Sequence, residues 1–317
     1  MKKEQRKFAD DSWAIWIDGE DTSNVYINDW LNPKWKSYVD LAIHIHGIKE
    51  SKGLHVYVPF AVSKEEIEDI SLFFRDKKFS QATFGVASVF DYMKNEHVSE
   101  IAYNGKTVDI VHISTLAYKV SSLTKGTLID VDLEKLQAYL DNNEAYFIWR
   151  MPHKSLDEIF HKGINVGSVI GRLRDLFTTP IISEKYSYSI RINETRRLPE
   201  KIARIGAFNR QKINKAIVTI SVDEKYEMSD FGCEGIRRLE DELYQGYLPK
   251  KCNGADMITY QWKQTLGDNE HGHFNFYYNI AKNSVSRASM LVYLLLITAI
   301  SCLGSVLANI ITYFIGL

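Results

Sequence analysis

Three cysteines occur in 317 residues, Cys233, Cys252 and Cys302, and no two share a C-x-x-C spacing. That scarcity excludes a disulfide framework and a cysteine-based zinc cluster as organising devices. Cys302 sits in an apolar run and reads as a packing residue. An excess of one charge is also missing: 39 Lys and Arg against 40 Asp and Glu leave a formal net charge of −1. A general nucleic-acid binder needs a basic surplus, so that class is not indicated, although a local basic patch is still compatible with neutrality. The opening residues, MKKEQRKFADDSW, hold no long apolar stretch, so no secretory signal is expected and the body is expected in the cytosol. Neither a P-loop nor a GxGxxG fingerprint, an HExxH pair or a nucleophile elbow occurs. The glycine-spaced GINVGSVIG, 163–171, lacks a preceding strand, and WIDGED, 16–21, reads as a turn. No cofactor is expected.

What is present is ordinary globular composition, 45% hydrophobic and 25% charged, followed by one uncharged apolar segment. From Ala288 to Leu317 no charged residue occurs. A bilayer core of roughly 30 Å takes about 20 helical residues, so the segment predicts one transmembrane helix, residues 288–317, able to tilt. Lys282 and Arg287 precede it, and the positive-inside rule then puts the N-terminal body in the cytoplasm of a cell (inner) membrane, as a single-pass, tail-anchored protein. Tyr293 and Tyr313 lie near its two ends, where interfacial aromatics are favoured. Gly304, Ala308, Thr312 and Gly316 recur every four residues, and Ser301, Ser305 and Asn309 form a second stripe beside them. Small residues let helix backbones approach and hydroxyls and amides bond between helices, so self-association in the bilayer is expected.

The body reads as α+β, with mixed, largely antiparallel sheets and interspersed helices. Alternation predicts strands at 13–17, 107–114, 127–132, 145–151, 186–193, 216–223, 257–264 and 273–280, and a hairpin pairing 38–48 with 54–60. Capping boxes at Ser63/Glu66 and Ser155/Glu158 predict helix starts, the first followed by a buried stripe of Ile67, Ile70 and Phe74. Residues 167–177 read as a helix, and Asp132 as the cap of a short helix carrying Leu133, Leu136 and Leu140. Ser229 to Tyr244 reads as a helix with Glu234–Arg238 and Arg237–Asp241 as i,i+4 pairs. VPFAVSKEEI and MPHKSLDEI, then DIVHIS and AIVTIS, repeat in the same order. This echo suggests two tandem α+β units, 1–143 and 144–285, with a ligand cleft between them.

Two groups of residues offer chemistry. Alternation on 38–48 puts His44 and His46 on one face, and the expected hairpin adds His55 opposite them. Imidazoles so clustered suit a transition metal, which EHGH, 270–273, could help complete, and a metal-dependent enzyme is one reading. A polar sheet face meeting solvent or a helix is the other. The second group is a basic band holding Arg191, Arg196, Arg197, Lys201, Arg204 and Arg210 among tyrosines and a phenylalanine. Guanidinium forks fit phosphates, so a phosphate-bearing ligand or anionic headgroups fit the band; equally, it pairs internally with the acidic stretch 229–244.

The expectation is therefore a non-enzymatic, membrane-anchored sensor or effector that answers a ligand or protein partner and assembles as a homo-oligomer in the lipid bilayer. Its layout is similar to that of bacterial membrane effectors of antiviral (antiphage) defence, in architecture alone. A tail-anchored adaptor that localises a soluble partner is the alternative.

Overall fold

The fold is described from a computed structural model. The described residues are 12–19, 22–31, 37–84, 88–91, 95–103, 105–153, 161–162, 182–205, 212–229, 232–244, 246–249, 254–266, 273–284 and 287–315. The expected helix at 167–177, the second capping box, Arg210, Gly316 and residues 270–272 lie outside them.

The chain is α+β, with two mixed sheets, few helices and one long apolar helix at its C-terminal side. It divides into two compact units. The first comprises 1–159, 188–224 and 230–277 and holds the whole of a ten-stranded sheet. The spatial order of that sheet is β16 (Gly235–Arg238), β17 (Met257–Thr265), β14 (Lys212–Asp223), β2 (Thr22–Leu31), β3 (Ser37–His46), β11 (Glu144–His153), β8 (Lys106–Val111), β7 (Val98–Tyr103) and β6 (Ser88–Asp91). The short β5 (Glu68–Asp69) also pairs with β11. Pairing is antiparallel except β14 with β2 and β11 with β8. In the second sheet β1 (Ser12–Ile17) lies antiparallel to β4 (Gly53–Val58), which pairs with β10 (Gly126–Asp132), which pairs with β9 (Tyr118–Leu123). On its other side β1 runs parallel to β13 (Ile182–Ile192).

These strands follow from side-chain alternation and burial. TSNVYINDWL of β2 buries every second residue before its last three positions. SWAIWI of β1 and most of β3 and β11 are buried on both faces, as central strands are. One face of the ten-stranded sheet carries Trp30, Ala42, Tyr146, Ile148 and Ile110 and packs on Ile70, Phe74, Phe79 and Tyr247 from the covering segments. Phe79 belongs to α1 (Lys77–Phe84). One face of the second sheet, with Ala14, Trp16 and Tyr57, packs on Leu198 and Ile202, the latter on α3 (Glu200–Ala203). The preceding helix, α2 (Leu133–Leu136), is capped as expected by Asp132, whose carboxylate accepts from the Lys135 amide.

Three expectations are corrected. The hairpin of 38–48 with 54–60 does not form, because β3 and β4 pair in different sheets. The connection is held away from hairpin geometry: Gly47 takes φ 94° and the amides of Gly47 and Ile48 bond to the Asn143 carbonyl. Ser229 to Tyr244 is not a helix. Gly232, at φ 112°, and Gly235 interrupt it, β16 pairs along β17, and among the described residues of the stretch only α4 (Asp241–Tyr244) is helical. In an extended strand residues four apart cannot pair, and Arg238 instead reaches Glu224 at 2.6 Å. The Ser63–Glu66 capping box is present but opens one 3-10 turn; Ile67, Ile70 and Phe74 are buried from a turn, a coil and a second 3-10 turn.

The second unit comprises 160–187, 225–229 and 278–317. In it β12 (His161–Lys162) pairs antiparallel with β13 through His161–Ser187 and Lys162–Tyr186. β15 (Tyr226–Ser229) pairs antiparallel with β18 (Phe274–Ser284), Tyr226 opposite Lys282. α5 (Arg287–Ile315) follows. Its stretch Met290–Ile315, with an 18-residue window of mean hydropathy 2.4 none of which is buried, is long and apolar enough to cross a membrane.

Candidate functional site

Polar residues of β3 and β11 rise in register on one face of the ten-stranded sheet. Asp40 faces Arg150, Ala42 faces Ile148, His44 faces Tyr146 and His46 faces Glu144. On the other side of β3, Asn24 of β2 stands opposite His44. The period-two alternation therefore brings His44, His46, Glu144 and Asn24 together at one end of three paired strands. Glu144 Oε2 lies 3.1 Å from His44 Nε2 and 3.2 Å from His46 Nδ1. The two rings are 4.2 Å apart. Lys106 Nζ binds the other carboxylate oxygen, Oε1, at 2.6 Å. Asn24 Nδ2 lies 3.0 Å from His46 Nε2. His44 Nε2, Glu144 Oε2 and His46 Nδ1 form the set of donor atoms able to converge on a metal ion.

The electrostatics favour the neutral form of the His44 imidazole. Burial, helped by neighbouring His46 and opposed by Glu144, lowers the pKa of His44 to about 4. His44 is 5% exposed, and its buried Nε2 stands 3.1 Å from Glu144 Oε2 with no other polar partner among the described residues. Burial alone would raise the Glu144 carboxyl, but the Lys106 bond and the two histidines lower it, so it is ionised at neutral pH.

His55, the third expected ligand, lies on β4 in the other sheet. Its Nδ1 meets Asp130 Oδ1 at 2.7 Å and its Nε2 meets Asp18 Oδ2 at 2.9 Å, and its ring stacks on Trp16. Burial lowers its pKa, but the bonds to Asp130 and Asp18 outweigh burial and raise it. With both ring nitrogens bonded to carboxylates, His55 has no nitrogen left to offer a metal. It edges an open groove of about 430 Å³ whose walls include Lys52, Tyr118 and Lys119.

Of the basic band, Arg191 lies on β13, Arg196 and Arg197 on a 3-10 turn, and Lys201 on α3, with Arg204 just after it. Glu194 binds Arg196 at 3.0 Å and approaches Arg191 at 3.4 Å, and Glu200 pairs with Arg204. Arg191, Arg196 and Arg204 thus meet acids from within the band's own sequence. In α5, Ser301, Gly304, Ser305, Ala308, Asn309 and Thr312 are exposed. A β-carbon placed on Gly304 would meet nothing within 4 Å. The Thr312 hydroxyl donates to the Ala308 carbonyl at 2.9 Å, within the helix.

Glu144, Asn24 and Lys106 were not among the sequence candidates. Their only sequence signal is alternation in the β2, β8 and β11 segments, and it carries no information on which strand faces which.

No protein-family model matches the chain, and no curated protein matches it. Among solved structures, the Fcho1 Mu homology domain from Danio rerio with bound Eps15 peptide aligns over 88% of this chain and 82% of that one, at 6% identity and a TM-score of 0.15. A likeness that low carries no argument about fold or ligand.

Proposed function

We propose that this chain is a single-pass membrane protein whose cytoplasmic β-rich body senses a ligand or partner, and whose C-terminal helix assembles copies of it in the bilayer. The observation that carries the reading is α5. Its 26-residue apolar stretch, Met290–Ile315, extends about 39 Å at 1.5 Å per residue, enough for a hydrocarbon core of roughly 30 Å with some tilt. Lys282 and Arg287 on its N-terminal side favour a cytoplasmic body at the cell (inner) membrane. Along the helix, Gly304, Ala308 and Thr312 form a small-residue stripe with Ser301, Ser305 and Asn309 beside it. Close backbone packing along such a stripe is the usual means of helix association in lipid, where the hydrophobic effect supplies no drive.

A sensor needs two states that bind its signal differently. The second state proposed is the assembled one, in which neighbouring helices perturb the bilayer or line a path with Ser301, Ser305 and Asn309. Membrane effectors of antiphage defence share this layout, which supports the reading by architecture alone.

The test is native mass measurement of the full chain in nanodiscs, for wild type, for Gly304→Leu with Ala308→Leu, and for a chain whose α5 is replaced by an unrelated apolar anchor. Assembly in wild type and its loss in both altered chains is expected. Assembly and activity unchanged in both would sink the proposal and leave a plain anchor for an adaptor.

A further inference from the structure

We propose that His44, His46 and Glu144 form a binding site for a zinc-class divalent transition-metal ion, with a fourth coordination position left to solvent. The inference is independent of the membrane reading.

The first ground is distance. Zinc bonds nitrogen and carboxylate oxygen at roughly 2.0–2.2 Å, so two ligands of a tetrahedral centre stand about 3.3 Å apart. Glu144 Oε2 stands 3.1 Å from His44 Nε2 and 3.2 Å from His46 Nδ1, and all three atoms lie within 4.8 Å of one another. The donors are thus spaced around a common centre, with neither pair in van der Waals exclusion of an ion.

The second ground is an unmet valence. His44 Nε2 is buried, and among the described residues the one polar atom that reaches it is an acceptor, Glu144 Oε2 at 3.1 Å. A buried ring nitrogen that faces only an acceptor, and carries no proton to donate to it, forfeits the hydrogen bond that water would supply, at a cost of about 1–3 kcal/mol. When its Nε2 carries no proton, this imidazole presents a lone pair beside the lone pairs of Glu144. What satisfies two converging acceptors is a cation.

The third ground is orientation of the ligands from behind. Lys106 takes Glu144 Oε1 and leaves Oε2 turned to the histidines. Asn24 holds the outer nitrogen of His46 at 3.0 Å. The oxygen and nitrogen of an amide are exchangeable in such an assignment. With the Asn24 carbonyl turned to His46 Nε2, that nitrogen carries the proton and Nδ1 offers its lone pair to the ion. Such outer contacts fix ring orientation and tautomer in metal sites.

The same surroundings select the ion. Lys106 touches the carboxylate, and Lys215, opposite Asn24 on β14, adds a second positive charge near His44. A hard cation such as Mg²⁺ or Ca²⁺ depends on several oxygen ligands, and one carboxylate already bonded to Lys106 does not supply them. Two imidazole nitrogens suit Zn²⁺ and its neighbours. His46 is 29% exposed at its side chain, so the open position faces water from its side. Two histidines, one glutamate and one water is the donor set of several hydrolytic zinc enzymes.

The test uses the full chain in nanodiscs, stripped with chelator and titrated with Co²⁺ and Zn²⁺. The expected result is one bound ion per chain, a tetrahedral Co²⁺ visible spectrum that Zn²⁺ displaces, and no competition from millimolar Mg²⁺. Glu144→Gln preserves shape and His46→Asn alters the most exposed ligand, so both should fold; each is expected to weaken binding by more than about a hundredfold. His55→Ala is expected to bind as wild type. Folded wild type that takes up neither ion, or Glu144→Gln and His46→Asn variants that bind like wild type, would overturn the proposal.

Discussion

Asp40 and Arg150 stand opposite each other across β3 and β11 and form a two-pronged ion pair, Nε to Oδ1 at 2.6 Å and Nη2 to Oδ2 at 2.8 Å. Both side chains are almost wholly buried. The Trp30 indole and the Tyr247 hydroxyl also donate to Asp40 Oδ2, at 2.6 and 2.7 Å, and Arg150 Nη1 donates to the Tyr247 carbonyl at 2.6 Å. Burial opposes the guanidinium charge, yet Asp40 more than compensates and raises its pKa further. The network fastens the segment around Tyr247 over the sheet face that also carries His44.

A pair this deep is roughly neutral in stability against an apolar replacement but costly to break by half. Asp40→Asn is expected to destabilise the body by about 3–5 kcal/mol. Asp40→Leu combined with Arg150→Met is expected to lose less than the sum of the two single changes. Urea unfolding of wild type, Asp40→Asn, the two other single variants and the double variant in one detergent measures both. Simple additivity would mean that the two residues do not act as a unit.

His112 provides an acid-sensitive element. Its ring nitrogens meet the hydroxyls of Ser71 and Ser99, each at 2.7 Å. Burial, aided by Arg75 and His97 and opposed by Asp69, lowers its pKa to about 4. An unfolded histidine titrates near 6.5, so between those values the unfolded chain holds a proton that the folded chain does not. Stability is therefore full above about pH 6.5 and falls as pH drops toward 4, by about 3 kcal/mol in all. Thermal melts across this window are expected to show the decline in wild type and a shallower one in His112→Asn.

His55 has the opposite sign. Its raised pKa means that its bonds to Asp130 and Asp18 contribute fully below the unfolded value and are lost as pH rises through the folded one. His55→Gln is expected to cost stability at pH 5.5 and little at pH 8.5. A variant equally destabilised at both would mean that packing on Trp16, not charge, is what His55 supplies.

Local patterns were legible in the sequence, and relations between distant strands were not. WAIWI, the strand at 127–132 and the Asp132 cap depend on neighbours a few residues away. The apolar composition of α5 needs no tertiary context at all. His44 and His46 fall on one face by alternation alone. Their carboxylate partner, Glu144, is set by the register of β3 against β11, 98 positions further along than His46 at the pair His46–Glu144. Nothing in either strand encodes that register. The hairpin expectation offered His55 instead because adjacent strands usually pair, and here β3 and β4 enter different sheets. In the stretch 229–244 charges four apart suit a helix, while Gly232 and Gly235 inside it favour the extended strand β16 that forms.

Glycine matters at two places on β4 and its neighbour. A β-carbon on Gly126 would strike the Val58 carbonyl and lie 2.6 Å from the Tyr57 hydroxyl. The backbone cannot yield cheaply there, so Gly126→Ala is expected to cost about 1–3 kcal/mol at every pH. A β-carbon on Gly53 would lie 2.8 Å from His55 Nε2 and 3.2 Å from Asp18 Oδ2. Gly53→Ala is expected to push that ion pair apart and so to lose stability chiefly at acid pH, as His55→Gln does. Paired melts at pH 5.5 and 8.5 separate the two glycines.

Asn309 tests whether the helices meet in the bilayer. It is exposed on α5 inside the apolar stretch, four residues beyond Ser305. An amide facing lipid is costly, and one that bonds a neighbouring helix contributes about 0.6–2 kcal/mol to association. Asn309→Leu makes the segment more apolar, so insertion should be kept or improved. If the amide bonds between copies, the same change is expected to weaken association by about 3- to 30-fold, the equivalent of that energy. Energy transfer between labelled chains diluted in liposomes reads this directly. Unchanged transfer on dilution would place Asn309 away from any helix contact, and with it the Ser301 and Ser305 stripe.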